Sequence, residues 1–507
     1  MFIRKKQNTS GSISIQIISK VKNRYKLVKT IGSSKDQNEI SKLLELAKAE
    51  KSQLESQESL FIFEKDSMLL EFISNISNSQ IKTIGPELIF GRIYDKIGYN
   101  KIPNNLFRHL VISRLSFPLS KLKTSEYLYR YQGIEVNVDK IYRFMDELSD
   151  KYKSEVELIS YNRTKELLGG KIGIVFYDMT TLYFEASDED DFRKTGFSKD
   201  GKHSNPQIYL GLLVGLNGYA ISYDIYEGNI FEGNTLIPFI ERICRKFDIN
   251  KPIVVADSGL LSSKNIAYLK KLGYEYIIGA RIKNESTELK KSITTLDKSE
   301  DLIHELTRNT GDRLLITYSE SRAKKDQKTR EKGLQRLEKR IQSNQLTKKD
   351  INNKGYNKYL KMTGKITVEI DYDKYNADVV WDGLKGYITN TQLTSKEVVS
   401  NYSNLWQIEY AFRMSKTDLR IRPIFHRKRT RIEAHICISF AAYSIYKDLE
   451  RSLKLCNSEI SVRNAYELTQ NIYQVELILP ESKTTQKIML KLSEKQQELL
   501  KIVKQFF

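Results

Sequence analysis

The sequence predicts an α/β protein built on a mixed sheet, and three observations predict it. At 507 residues the chain exceeds the size at which one hydrophobic core stops growing, so two or more domains are expected. After Gly169-Gly170 the pattern runs β-β-β-α-β-α-β. The strands in that run are nearly all apolar, which demands cover on both faces.

Each element follows from its local pattern. "SISIQIISKV" and "RYKLVKTIG" alternate on either side of "KNR" and predict a small β-hairpin. "NEISKLLELAKAEKSQL" predicts a surface helix with Asn38 as N-cap. Residues 59–100 carry strand-like "LFIFE" and "LIFGRIYDKIG". From Pro103 to about Tyr161 the pattern is helical: "SKLKTSEYLYRY" ends at Gln132-Gly133, and "VDKIYRFMDELSDKYKSEV" follows. In the latter, Ile141, Phe144, Met145 and Leu148 fall at i, i+3, i+4 and i+7, with Lys140 and Arg143 off that face. Such a helix pair reads either as a helix-turn-helix DNA reader or as a subdomain that merely packs.

The sheet run begins with "KIGIVFYDMT", "PQIYLGLLVG" and "YAISYDIYEG". An amphipathic helix starting at Asn234 leads to a fourth strand, "KPIVVADSG". A helix capped by Ser262 and ended by Gly273 leads to a fifth, "YEYIIGA". Residues 281–395 interrupt the run. They hold a charged helix with nine basic and three acidic residues from Arg322 to Arg340, and predicted strands "KITVEIDY" and "ADVVW". Two helices, "SKEVVSNYSNLWQIEYAFRMSKTDL" and "RIEAHICISFAAYSIYKDLERSL", close the core, and a short helical tail follows.

Composition narrows the function classes. The formal charge is +20, from 83 basic and 63 acidic residues, which suits phosphate-backbone binding. The three Cys are far apart and lack CxxC spacing, so neither a zinc site nor a disulfide framework is expected. No N-terminal apolar segment and no membrane-length apolar run are present, so a cytoplasmic protein is expected. No GxxxxGK[ST] loop points to ATP.

"GIVFYDMTTLYFE" places Asp178 among apolar strand residues, where a carboxylate costs several kcal/mol unless something pairs with it. Asp257 ends the fourth strand in "IVVADSG", and carboxyl ends of strands are where α/β sheets build sites. Taken singly, "ADSG" reads as an Asx turn capping the next helix. Sequential strand pairing leaves the two acids apart, whereas an inserted central strand brings them together. A two-metal site needs a third carboxylate, and Glu409 in "YSNLWQIEYAFRMSK" is the candidate. On a continuous helix Tyr402, Arg413 and Lys416 share its face to within about 40°. Glu409 and Arg413 also read as an ordinary i,i+4 surface pair.

"FYDMTTLYFE", "TGFSKDGKHSNPQIYLGLLVG", "YEGNIFEGNTL", "IVVADSGLLS" and "IEYAFRMSKTDLRIRPIFHRKRTRIEAHI" together resemble insertion-sequence DDE transposases, in the branch with a YREK-type signature and a β-rich insertion. The resemblance runs from about residue 85 to 450. It implies an RNase H-like mixed sheet core with Asp178, Asp257 and Glu409 binding two divalent ions, Mg²⁺ or Mn²⁺. It also implies a mainly helical DNA-binding region before the core and an inserted β-rich and helical subdomain. The implied division is 1–58 hairpin and helix, 59–168 helical region, 169–280 core, 281–395 insertion, 396–450 core and 451–507 helical tail. Tyr402, Glu409 and Lys416 occupy three places of the signature, while Leu405 stands where the Arg belongs, and Arg413 is the expected substitute. Trp381 is the candidate for stacking on a flipped base.

Double-stranded DNA is the implied partner, as terminal inverted repeats and target, with a homodimer on paired ends in the bacterial nucleoid. "RPIFHRKRTR" packs Arg422, His426, Arg427, Lys428, Arg429 and Arg431 into ten residues, the densest candidate for backbone phosphates. Lys199 and Lys202, with His203, are expected to face phosphates from the loop before the second strand. His435 is expected to be a satisfied core histidine, and Thr180 and Thr181 to support Asp178. A catalytically silent or domesticated DNA-binding protein and an RNase H-like structure-specific nuclease are the alternative readings.

Overall fold

The computed structural model describes residues 1–21, 24–62, 64–260, 262–343, 346, 350–352, 355–363, 367–479 and 482–507. The chain divides into two compact units, Met1–Ile81 with Val475–Ile488, and Lys82–Gln474 with Met489–Phe507.

The larger unit is organised by an eight-stranded mixed sheet. Its strands are β1 (Ile174–Tyr183), β2 (Gln207–Val214), β3 (Ala220–Glu227), β4 (Ile253–Ala256), β5 (Tyr276–Ala280), β6 (Ile303–Thr307), β7 (Arg313–Tyr318) and β8 (Leu384–Thr389). The spatial order is β6-β7-β8-β5-β4-β1-β2-β3. β1 lies centrally, antiparallel to β2 and parallel to β4, and β5 is parallel to β4. β6, β7 and β8 extend the same sheet by antiparallel pairing. Three segments of residues 281–395 are thus strands of the main sheet.

Strand alternation splits the core into two layers. Phe176 and Leu182 join the layer under the helices Trp406–Thr417 and Arg429–Leu455. Val175, Tyr177 and Met179 join the opposite layer, with Leu236, Phe239, Ile240 and Ile243 of the helix Leu236–Phe247. The helix Arg429–Leu455 is buried over most of its length, as an apolar helix inside a large core should be. In the helix Val138–Glu147, Ile141, Phe144 and Met145 are buried and Lys140 and Arg143 exposed, as the spacing requires.

Several elements differ from expectation. "LIFGRIYDKIG" is helical: Ile89, Phe90, Ile93, Tyr94 and Ile97 are buried at i, i+1, i+4, i+5 and i+8. That is a helix face which its apolar density disguised as a strand. "ADVVW" ends in a 3₁₀ turn, Val379–Trp381. The expected strand in "KITVEIDY" is Thr367–Ile370, paired with Leu360–Thr363, and its first residues lie outside the described residues. The long helix expected over 395–419 is two helices, Ser395–Ser403 and Trp406–Thr417. The tail contains strands Tyr473–Ile478 and Thr485–Met489 besides its helices.

In the smaller unit three antiparallel strands, Phe2–Gln7, Ile13–Val21 and Arg24–Ser34, replace the expected hairpin. Residues 22–23, within the "KNR" of the expected hairpin, lie outside the described residues. The helix Gln37–Ile62 is capped by Asp36 rather than Asn38: Asp36 Oδ1 accepts from the amides of Asn38 (2.7 Å) and Glu39 (3.0 Å). Strand-like "LFIFE" falls mostly within that helix, with Phe63 outside the described residues. Among the described residues no helix is long and apolar enough to cross a membrane, and the three cysteines are free.

Candidate active site

Asp178 shares the sheet face of Phe176 and Leu182, so its carboxyl lies beneath the Glu409 helix layer. Its own amide neighbour helps hold it: Met179 N–H donates to Asp178 Oδ1 at 2.7 Å. The last parallel pair between β1 and β4 is Tyr177–Ala256, so Asp178, in the middle of β1, lies beside Asp257, which follows the end of β4. Burial pushes Asp178 up to about 6, with the Glu232 and Asp257 carboxylates adding to the rise and Lys199 opposing it.

Glu409 sits in the first turn of its helix and lines, with Asp178, a cleft of about 320 Å³. Thr180, Lys199, Arg413, Lys416 and Arg422 line the same cleft. On the other side of Asp257, Tyr402 donates from its hydroxyl to Asp257 Oδ1 at 3.2 Å. Burial and the charges of Asp257 and Glu409 raise the Tyr402 phenol, which keeps it a donor. Lys385 lies 4.6 Å from the Tyr402 ring centroid, and burial lowers its ammonium, with Asp257 and Glu409 opposing the fall. Gly279 on β5 makes room for this contact, since a Cβ there would meet Tyr402 Oη at 2.5 Å.

The donor chemistry fits hard divalent cations, because the groups that line this region and carry negative charge are carboxylates. Lys199 already behaves as a cation among them: its Nζ is 3.1 Å from Glu232, 3.6 Å from Asp178 and 2.6 Å from the Met179 carbonyl it donates to. Among the described residues no three His, Cys, Asp or Glu side chains converge on one point. The Asp178–Asp257 pair and Glu409 in the cleft wall remain separate donor groups.

The helix break at 404–405 changes the expected shared face. Tyr402 belongs to the preceding helix and reaches Asp257, while Arg413 and Lys416 line the cleft with Glu409. Leu405 is 8% exposed, so the place expected for an Arg is part of the apolar core. Lys416 is paired with Asp200 at 3.0 Å, and Arg422 with the same carboxylate at 2.7 Å. Thr180 shares the Asp178 face, but Thr181 points to the opposite layer, its buried Oγ1 without a hydrogen-bond partner among the described residues.

The basic cluster at 422–431 is only partly available. Arg427 and Lys428 are exposed and make no ion pair among the described residues. Arg429 pairs with Glu433, and Arg431 with Asp146, each at 3.0 Å. His426 is half-buried, and burial among Lys121, Arg114 and Arg431 pushes it down to about 3, so it is neutral and the six expected cations are five. His435 is a satisfied core histidine, with Nε2 2.9 Å from the Ile421 carbonyl. Lys199 faces the acids rather than open solvent. Lys202 lies over the Tyr183 ring, and His203 Nδ1 accepts from the Ser198 amide at 3.3 Å. Trp381 is half-buried and borders a cavity of about 500 Å³, with Lys283 Nζ 5.9 Å from its ring.

Glu232, Asp200 and Lys385 were not anticipated. Glu232 stands inside "YEGNIFEGNTL", between a strand and a helix, and Asp200 inside "TGFSKDGKHSNPQ", between two strands, where an acid among glycines was a usable signal. Lys385 had none, since its place depends on β8 joining the sheet.

Fold and site together define an α/β protein with an acidic cleft flanked by cations. The family model described as transposase DDE domain matches residues 169–445, over half of the chain, and the chain belongs to that family. No curated protein matches the chain. Among solved structures it is similar to the piggyBac transposase synaptic complex with hairpin DNA, determined by cryo-EM, at 8% identity and a TM-score of 0.38, covering 76% of this chain and 77% of that one.

Proposed function

We propose that this chain is the transposase of an insertion sequence, with an RNase H-like core that cuts transposon ends and joins them to target DNA. The observation that carries the proposal is the adjacency of Asp178, inside β1, and Asp257, just past the end of the parallel strand β4, with Glu409 lining the cleft of Asp178, inside the matched DDE domain. Asp178, Asp257 and Glu409 would hold two divalent ions, Mg²⁺ or Mn²⁺. When bound, such ions supply a lowered pKa for the attacking water or 3′-hydroxyl and charge stabilisation for the leaving oxygen.

The chain's own residues do the rest. Tyr402 orients Asp257 by donating to Oδ1, leaving the other oxygen to ligate. Lys199 keeps Asp178 and Glu232 compensated until cations arrive. Arg413 is exposed at the cleft and steadies the phosphates beside the scissile bond, while Lys416 and Arg422 are positioned there by Asp200. Arg427, Lys428, Lys140 and Arg143 supply exposed positive charge for duplex DNA. Bringing two transposon ends together calls for a homodimer.

Asp178→Asn tests the assignment. It is expected to abolish Mg²⁺-dependent cleavage of a terminal-repeat duplex while end binding is retained; persisting cleavage would sink it. Joining of a labelled 3′-hydroxyl end to plasmid distinguishes a transposase from a structure-specific nuclease.

A further inference from the structure

A second cavity, of about 250 Å³, opens beside the catalytic cleft, and Arg422 lines both. Arg114, Lys121, Arg420, Arg422, His426 and His435 line it, and none of its lining residues is acidic. Two of these cations are removed from water. Arg114 and Lys121 are 5% and 4% exposed. Among the described residues Arg114 reaches only the Leu419 carbonyl and His435 Nδ1, both at a long 3.4 Å. Lys121 makes no hydrogen bond or ion pair among the described residues.

Of the lining cations Arg422 is already paired, with Asp200, which also holds Lys416, while Asp146 pairs with Arg431 outside the lining. Burial beside Arg114 drives the Lys121 ammonium well down, and His435 likewise. Arg420 also lines the cavity, exposed, with its backbone in the left-handed region at φ 45°. Non-glycine residues hold that conformation only where the surroundings enforce it.

A cavity that gathers like charges out of water is costly unless a counter-charge enters. Donors from several segments converge here, and three are guanidinium groups suited to bidentate contact with a tetrahedral oxyanion. We propose that this cavity is a binding site for a phosphate group, contacted by Lys121, Arg114 and Arg420, with Arg422 joining it to the catalytic cleft. Its volume admits a phosphate together with a flanking substituent. The phosphate belongs either to the backbone of DNA lying in the cleft or to a free phosphate or phosphomonoester. The site stands on the cavity's own geometry; only DNA as the source rests on the function proposed above.

The full chain, with Lys121→Met and Arg420→Gln variants, tests this in two arms. In the first, melting temperature is followed while inorganic phosphate replaces chloride at constant ionic strength. In the second, binding of a duplex oligonucleotide is measured against salt. A saturable rise in the wild type, lost in both variants, establishes a free-phosphate site. No saturable rise, with the slope of log K against log salt reduced by about 0.9 in each variant, establishes a DNA backbone phosphate. No phosphate response together with wild-type salt slopes in both variants overturns the proposal. Lys121→Met is further expected to melt above the wild type without phosphate, because an unpaired buried ammonium has been removed. Arg420 is exposed, so its variant keeps the test available if Lys121→Met does not fold. Cleavage by wild type against Asp178→Asn is read separately, so failure here leaves the assignment of the acids to its own test.

Discussion

The cleft of Asp178 and Glu409 and the cationic cavity are neighbours that share Arg422, but the cleft mixes acids with cations while the cavity has no acid in its lining. In the cleft, Asp178 is buried near Glu232 and Asp257, with Lys199 as the close cation. In the cavity, Arg114 and Lys121 are buried with no acid in its walls. The same desolvation acts on both and pushes each group toward neutrality, Asp178 up to about 6 and His426 down to about 3. The difference teaches what each side is prepared to receive, cations on one and an anion on the other. A phosphodiester undergoing metal-assisted displacement presents both.

Removing Lys199 breaks the contrast most sharply. Lys199→Met leaves Asp178 and Glu232 buried without their cation and is expected to destabilise the larger unit by about 3 kcal/mol without divalent ions. Thermal melting checks this, and Mg²⁺ or Mn²⁺ should narrow the gap if the acids are ligands. An unchanged gap would separate Lys199 from the ion site.

The pH dependence sharpens it from both directions. Folded Asp178 holds its proton more tightly than the unfolded chain, so its share of stability is full below 3.8 and is lost as pH rises through about 6. Folded His426 binds its proton less tightly, so its share is full above 6.5 and is lost as pH falls toward about 3. The rise of Asp178 from 3.8 to about 6 corresponds to about 3 kcal/mol at most. Asp178→Asn is therefore expected to gain on the metal-free wild type between those pH values, measured by denaturant melts across pH.

A smaller effect is expected at Gly279. Tyr402 is 6% exposed and held against Tyr387 at 4.9 Å, so it cannot easily yield to a new Cβ. Gly279→Ala should cost about 1 kcal/mol and disturb the Tyr402–Asp257 bond. Cleavage should fall while DNA binding stays at the wild-type level.

Much of this was readable before folding. Asp178 stood out because an acid in an apolar strand needs a partner, Ser262 caps its helix as its position suggested, and Ile141, Phe144 and Met145 are buried as their spacing required. These readings depend on neighbours along the chain, where periodicity and capping act. The sequence by itself determined the two-layer α/β core, most of its helices and strands, and the strand-borne acids.

Tertiary structure alone decided that β6, β7 and β8 join the main sheet, bringing Lys385 and Gly279 to Tyr402. It decided that Asp200 captures Lys416 and Arg422, and that His426 is neutral. It also decided that Arg114 and Lys121 meet Arg420 and Arg422 around one cavity. Desolvation and counter-ion pairing depend on through-space distance, which segments some 300 residues apart acquire only when the chain has folded.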